Sequence, residues 1–302
     1  MEQIVTKNYR PIRTALFVPG DRPDRVDKAV NAGADMVIVD LEDAVADSRK
    51  EEIRSAVREK VSQYRDKVMM VRVNALDTGF FTDDLKAVVV EGLTAVMVPM
   101  VESAEHIRRI NDQLLKTEKE NGLAMGAVAV MPLVETAKAI QSIYEIVSEK
   151  TDPDRLWTVA FGAADYTLTM GIEMTVDAAE LNYPRSRIAV ACRAAEVEPP
   201  IESPYMIDIK DISGLAADTK RSKQLGFQGR LCVHPSQVGP CNDIYSPSSE
   251  EIAQAGRIIE AFNEAQAKGL AAIQLDGKFI DPPVVERSKM ILQLADKIVD
   301  RK

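Results

Sequence analysis

Histidine and cysteine are scarce in this chain of 302 residues: His106 and His234 are the only histidines, and Cys192, Cys232 and Cys241 the only cysteines. A Ser-His-Asp triad or a His-rich metal site therefore lacks parts, although His234, which closes an apolar run in CVHPSQ, suits equally a functional role or a structural one bonded to a backbone carbonyl. His106, in SAEHIRR, is expected on a solvated helix face. The cysteines are far apart and form no CxxC, which argues against a disulfide framework or a thiolate zinc site and for buried free thiols. No apolar run reaches the roughly 18 residues of a membrane span, and the first residues have no apolar core like that of a secretory leader. A soluble, cytoplasmic protein is expected. Positive charge is also in the minority: 38 Lys and Arg face 47 Asp and Glu, a net charge of −9, which speaks against a nucleic-acid or anionic-membrane surface.

What is present is globular, with 46% hydrophobic and 28% charged residues. Short β-branched runs alternate with amphipathic stretches, the pattern of βα units. Eight strands are expected, at Thr14–Val18, Asp35–Val39, Val68–Val73, Ala95–Val98, Gly126–Met131, Thr158–Phe161, Tyr205–Ile209 and Arg230–Val233. Runs such as MVIVD and AVMVP are apolar on both faces, as in a closed parallel barrel. Between them, Asp24–Asn31, Lys50–Arg65, Ala104–Glu120 and Thr136–Glu149 carry helical periodicity. Gly33, Gly92, Gly122 and Gly226 fall where left-handed C-caps are expected. The predicted fold is α/β, a TIM (β/α)8 barrel over 1–245 with a C-terminal helical extension over 246–302. That extension reads as two helices, Ser249–Lys268 and Pro282–Arg301, around a turn or hairpin in GLAAIQLDGKFIDPP, and it is suited to capping its own barrel or a neighbouring subunit.

Barrel enzymes place their chemistry at the C-terminal ends of the strands. Here those ends carry Asp40, Glu42 and Asp43 after strand two, Arg72 and Asn74 at strand three, Glu135 after strand five, Asp165 after strand six, Asp208 in strand seven and His234 after strand eight. Crowded carboxylates need neutralising, and a hard cation does this. Mg²⁺ is commonly held by one or two carboxylates with water and ligand oxygens, so Glu135 and Asp165 are the expected metal ligands, with Mn²⁺ as a possible substitute. A ring of ion pairs closing the barrel mouth is the other reading of these residues. Arg72, inside an apolar strand, must face carboxylates or an anionic ligand. The PGDRPDR segment, with Arg22 and Arg25, is either an anion-binding loop or simply the entry to a helix.

In order along the chain, RTALFVPG, VIVDLEDAV, MVRVN, VPMVES, LVETA, FGAADYTLTMG, GFQGRLCVHPSQV, YSPSSEEI and DGKFIDPPVVERSKMIL resemble the citrate lyase beta-subunit family, which includes malyl-CoA and citramalyl-CoA lyases. The resemblance implies an Mg²⁺-dependent lyase that cleaves a 3-hydroxyacyl-CoA into acetyl-CoA and a 2-oxo acid, or condenses them. It again implies metal binding by Glu135 and Asp165. It implies catalytic roles for Arg72, Asp43 and Asp281, the last acting in proton transfer from an adjacent subunit, and substrate binding by Arg13, Glu42, Asp43 and Arg72. The implied partners are a CoA thioester and a 2-oxo acid, in a homotrimer or hexamer. Two positions depart from the pattern: Met100 stands where many relatives have lysine, and Ala164 where several have glutamate. Both leave the substrate range open. The competing readings are a metal-dependent aldolase acting on free 2-oxo acids and a catalytically silent CoA or oxo-acid binder.

Overall fold

A computed structural model describes residues 11–299 of the protein. In chain order, β1 (Thr14–Pro19) leads to α1 (Pro23–Val30), β2 (Met36–Asp40) to α2 (Lys50–Gln63), β3 (Met69–Arg72) to α3 (Phe81–Val88) and β4 (Leu93–Val98) to α4 (Ala104–Glu120). β5 (Ala129–Val134) is followed by α5 (Ala137–Gln141) and α6 (Ile143–Ser148), and β6 (Ala160–Phe161) by α7 (Ala163–Met170) and α8 (Asn182–Ala194). β7 (Ile201–Glu202) then leads to α9 (Ile212–Leu225), and β8 (Gly229–Cys232) to α10 (Val238–Tyr245). Each strand pairs in parallel with the next and β8 returns to β1, which closes the expected TIM barrel.

The parallel register accounts for both the barrel core and its mouth. Ile38, Met70, Met97, Met131, Ile201 and Leu231 belong to one buried cluster, and each such side chain contributes about 1.5–3 kcal/mol by leaving water. Toward the strand ends, the same register sets Asp40 beside Arg72 and Val134 beside Phe161. Glu135 and Gly162 are thereby brought next to each other. Outside the barrel, α4 buries Ile107, Ile110 and Leu114, and its Ser103 N-cap accepts the His106 N–H. Gly33, Gly92, Gly122 and Gly226 all have positive φ, but only Gly226 is itself the left-handed cap; Asn31, Val89 and Asn121 cap α1, α3 and α4, and the other three glycines lie beyond them.

Three expectations need correction. Strand seven is Ile201–Glu202, not Tyr205–Ile209, and Asp208 is an exposed turn residue that accepts the Lys210 N–H at 2.9 Å. The EPPIESP segment hides this strand because Glu202 is a charge in the core; it is neutralised there by Arg185 at 2.8 Å. Strand five ends at Val134 rather than Met131. Gly126 has φ +81° and both Gly126 and Val128 give their N–H groups to the Glu118 carboxylate, so the first part of the predicted strand is a loop. The helix expected over Thr136–Glu149 breaks at Ser142, whose φ −93° and ψ 10° depart from helical values.

The chain divides into two compact units, the boundary falling between Asn242 and Asp243. The C-terminal unit contains α11 (Ser249–Ala267), a hairpin of β9 (Ile273–Leu275) and β10 (Lys278–Ile280), and α12 (Pro282–Val299). Asp276 and Gly277 form the hairpin turn with φ 50° and 76°, the double left-handed geometry that twisted hairpins favour. Ile258, Phe262, Ile280 and Val285 make its own small core. Among the described residues, no helix is long and apolar enough to cross a membrane.

Candidate active site

An open cavity of about 380 Å³ lies at the C-terminal ends of the strands, lined by Phe17, Asp40, Asp43, Arg72, Glu135 and Asp165 among others. Its volume is within the usual range for small-molecule sites.

Arg72 is its electrostatic centre. Asp40, opposite it in the register, accepts from Nε at 2.7 Å and from Nη2 at 2.6 Å, a two-pronged ion pair. Nη1 also meets Glu42 at 2.9 Å and Asp43 at 3.2 Å, and the guanidinium carbon lies 5.0 Å from the centre of the Phe17 ring. Burial opposes the charge of Arg72, but the surrounding carboxylates outweigh it and hold its pKa above the ordinary value. The Asp40 carboxylate also accepts the N–H groups of Glu42 and Ala44, which shapes the acidic loop. Sequence reasoning places Asp40 at a strand end without giving it this role. The available signal is the lateral match of VIVD with MVRV across the expected parallel pair.

Glu135, just past β5, is 3% exposed, and its Oε1 accepts the Met100 N–H at 2.8 Å. Burial pushes its carboxyl up to about 8, helped by the Asp165 and Glu42 charges and opposed by the Met100 N–H and Arg72. Glu42 is pushed up to about 7, again chiefly by burial, with Arg72 pulling the other way. Gly162 is required beside them: a Cβ there would lie 2.5 Å from Glu135 Oε2 and 2.7 Å from its Cβ. Asp165 lies in the first turn of α7 and lines the same cavity.

This donor set fits a hard cation. Among the described residues no group of three or more His, Cys, Asp or Glu is arranged to hold a metal. Glu135 and Asp165 line the same cavity, and one or two carboxylates are the number with which Mg²⁺ keeps waters and takes substrate oxygens. Burial, and after it the neighbouring Asp165 and Glu42 charges, oppose ionisation of Glu135, and a cation held there would offset both.

Other predicted residues lie elsewhere. Arg13 is corrected: it precedes β1, at the opposite end of the barrel, and grips Asp35 through Nε at 2.9 Å and Nη2 at 2.8 Å, so it has no access to a substrate at the mouth. Arg22 pairs with Asp24 on the exposed start of α1. His234 caps a short turn of helix: its Nδ1 accepts the Ser236 N–H at 3.2 Å, a backbone bond of the opposite sense to the carbonyl contact expected. His106 is not simply solvated, because its Nδ1 accepts the Glu102 N–H at 3.3 Å. Cys192, Cys232 and Cys241 are buried free thiols. Asp281 belongs to the C-terminal unit, where it accepts the Val284 N–H ahead of α12.

Residues 13–235 match the model of the HpcH/HpaI aldolase/citrate lyase family. The citrate lyase subunit beta of Leuconostoc mesenteroides subsp. cremoris is 34% identical over 291 residues, covering 96% of this chain and 95% of that one. The L-malyl-CoA/beta-methylmalyl-CoA lyase of Cereibacter sphaeroides (strain ATCC 17025) is 29% identical, covering 96% of both. Among solved structures, protein CitE from Mycobacterium tuberculosis, in complex with magnesium, acetoacetate and coenzyme A, superposes with a TM-score of 0.75 at 30% identity, over 95% of this chain and 98% of that one. With a family match across most of its length and a barrel mouth built of carboxylates around one arginine, the chain belongs to the HpcH/HpaI aldolase/citrate lyase family and is a lyase.

Proposed function

We propose that the protein cleaves, or forms, the carbon–carbon bond of a 3-hydroxyacyl-CoA such as malyl-CoA, citramalyl-CoA or citryl-CoA, with Mg²⁺ held by Glu135 and Asp165. The observation that carries this reading is the convergence of those two carboxylates and a firmly anchored Arg72 on one cavity. The magnesium, acetoacetate and coenzyme A of the CitE complex support it.

In the cleavage direction a proton leaves the 3-hydroxyl, the bond between C2 and C3 breaks, the oxygen becomes the carbonyl of a 2-oxo acid, and C2 takes up a proton to give acetyl-CoA. Held by Glu135 and Asp165, Mg²⁺ would supply Lewis-acid polarisation to substrate oxygens. Arg72 offsets the negative charge that develops on the thioester oxygen. Because Asp40 and Phe17 already hold the guanidinium in place, little reorganisation is needed as that charge appears. The Glu42–Asp43 pair takes the hydroxyl proton, and a Glu42 pKa of about 7 suits exchange near neutrality. Asp281 of a neighbouring subunit returns a proton to carbon, which makes the working unit an oligomer, a homotrimer or hexamer.

The test is acetyl-CoA release from a panel of malyl-CoA, citramalyl-CoA and citryl-CoA with MgCl₂ present. The wild-type chain is expected to turn over at least one, and Glu135→Ala to abolish this, because it removes a ligand of the cation that polarises the substrate. Tight coenzyme A binding without turnover overturns the proposal in favour of a silent binder. Cleavage of free hydroxy acids without a thioester does so in favour of an aldolase.

A further inference from the structure

Met100 stands at φ 56°, in the left-handed region that residues with a Cβ enter only under strain. It is neither glycine nor asparagine, and its side chain, 41% exposed, is not wedged there by packing. What the conformation achieves is a turn between the Met100 N–H and the chain that follows: the N–H meets Glu135 Oε1 at 2.8 Å while Val101 and Glu102 swing back onto residues 133 and 136.

The neighbouring contacts run the same way. β4 and β5 end their ladder where Val98 pairs with Pro132, yet the chain after β4 keeps hold of β5. Val101 N–H reaches the Leu133 carbonyl at 3.4 Å, and the Thr136 hydroxyl donates to Glu102 Oε1 at 2.7 Å. Glu102 is itself held by Lys138 at 3.1 Å and gives its N–H to His106. Residues 133 and 136 are thus tied down on either side of Glu135, and Met100 ties down the carboxylate between them. Gly162 abuts the same side chain and leaves no room for a Cβ beside it.

We infer that Met100 is a positioning residue that acts through its backbone, its left-handed peptide holding Glu135 in the orientation that receives the divalent cation. This rests on Glu135 being a cation ligand, as proposed above. The identity of the side chain matters only through the φ angle it tolerates, so a chain with another residue at this position, provided it accepts the left-handed region, keeps the same grip.

Calorimetric titration of the full chain with MgCl₂ alone, beside metal-free thermal melts, tests this with Met100→Gly and Met100→Val. Both remove the thioether side chain. Glycine enters the left-handed region freely, whereas β-branched valine is excluded from it. Met100→Gly is expected to bind Mg²⁺ within about twofold of wild type, and Met100→Val about tenfold or more weaker, the usual loss when a group orienting a metal ligand is removed. Equal loss in both variants, or none in Met100→Val, overturns the inference. Should Met100→Val not fold, Glu102→Ala and Glu102→Gln read the same clamp. The amide oxygen of Gln still accepts from Thr136, so Gln is expected to bind as wild type and Ala severalfold more weakly, and wild-type affinity in Glu102→Ala overturns the inference. Glu135→Ala separates the two levels: normal Mg²⁺ binding by that variant sinks the assignment of the site itself, while its loss beside an unaffected Met100→Val sinks only the positioning role.

Discussion

Gly162 shows how narrowly the site is set. Its φ of −103° suits any residue, so the need for glycine is spatial: a single methyl would meet Glu135 Oε2 at 2.5 Å. Gly162→Ala is expected to fold with a loss of about 1–3 kcal/mol from overpacking, and to weaken Mg²⁺ binding by about tenfold as the carboxylate is pushed aside. Thermal melts and Mg²⁺ titration check this, and unchanged Mg²⁺ affinity would show that the carboxylate can lie elsewhere. Glu135, Asp165 and Arg72 are visible in the sequence because a charge at the end of a buried strand stands out against its apolar run. Gly162 and the φ of Met100 are not, because both answer to a residue on another strand. Arg13 misleads for a related reason: it belongs to a motif at the start of β1, but the strand carries its other end to the mouth, and Asp35 claims the guanidinium at the base.

At the scale of elements, legibility follows burial chemistry. Strands apolar on both faces, such as β2 and β4, are plain in sequence. β7 is not, since its two residues include the buried Glu202, and the Arg185 and Arg230 that make this tolerable, with Asp218, come from other elements. The decoy, Tyr205–Ile209, is an apolar run broken only by Asp208, like a buried strand, but leaves Met206, Ile207 and Ile209 exposed. In the C-terminal unit the helix signals are local and therefore readable. α11 opens with a reciprocal cap: Ser248 Oγ accepts the Glu251 N–H at 3.1 Å and Glu251 accepts the Ser248 N–H at 2.8 Å. Ser248→Ala is expected to cost about 1 kcal/mol, concentrated in the first turn of α11. Amide hydrogen exchange should show the Glu251 amide losing protection while amides of the barrel strands keep theirs; uniform protection throughout would mean the cap adds nothing.

For the molecule as a whole, the acidic mouth ties stability to pH in a direction opposite to that of most carboxylates. Glu135 and Glu42 are raised to about 8 and about 7, mainly by burial. Between the ordinary carboxylate range and these values the folded chain holds protons that the unfolded chain has released. The contribution of these two groups is therefore complete below about pH 4.5 and is lost as pH rises through 7 and 8, a change on the order of a few kcal/mol. Ionised carboxylates elsewhere in paired surroundings, such as Asp218 and Glu118, whose pKa values are lowered despite burial, act in the opposite sense and lose their stabilisation only in acid. The metal-free protein should accordingly be most stable on the acid side of neutrality and soften toward pH 8.5. If Glu135 holds Mg²⁺ as proposed, the cation competes with protons for its carboxylate, and the stabilising effect of Mg²⁺ grows over the same interval. Melting curves at pH 6 and pH 8.5, with and without MgCl₂, should show a larger Mg²⁺-induced rise in Tm at the higher pH, and Glu135→Gln should remove that difference by abolishing the titration. An equal rise at both values would mean that Glu135 is already ionised at pH 6, and that the cation meets a carboxylate whose charge Arg72 and the Met100 N–H have stabilised more than burial has opposed it.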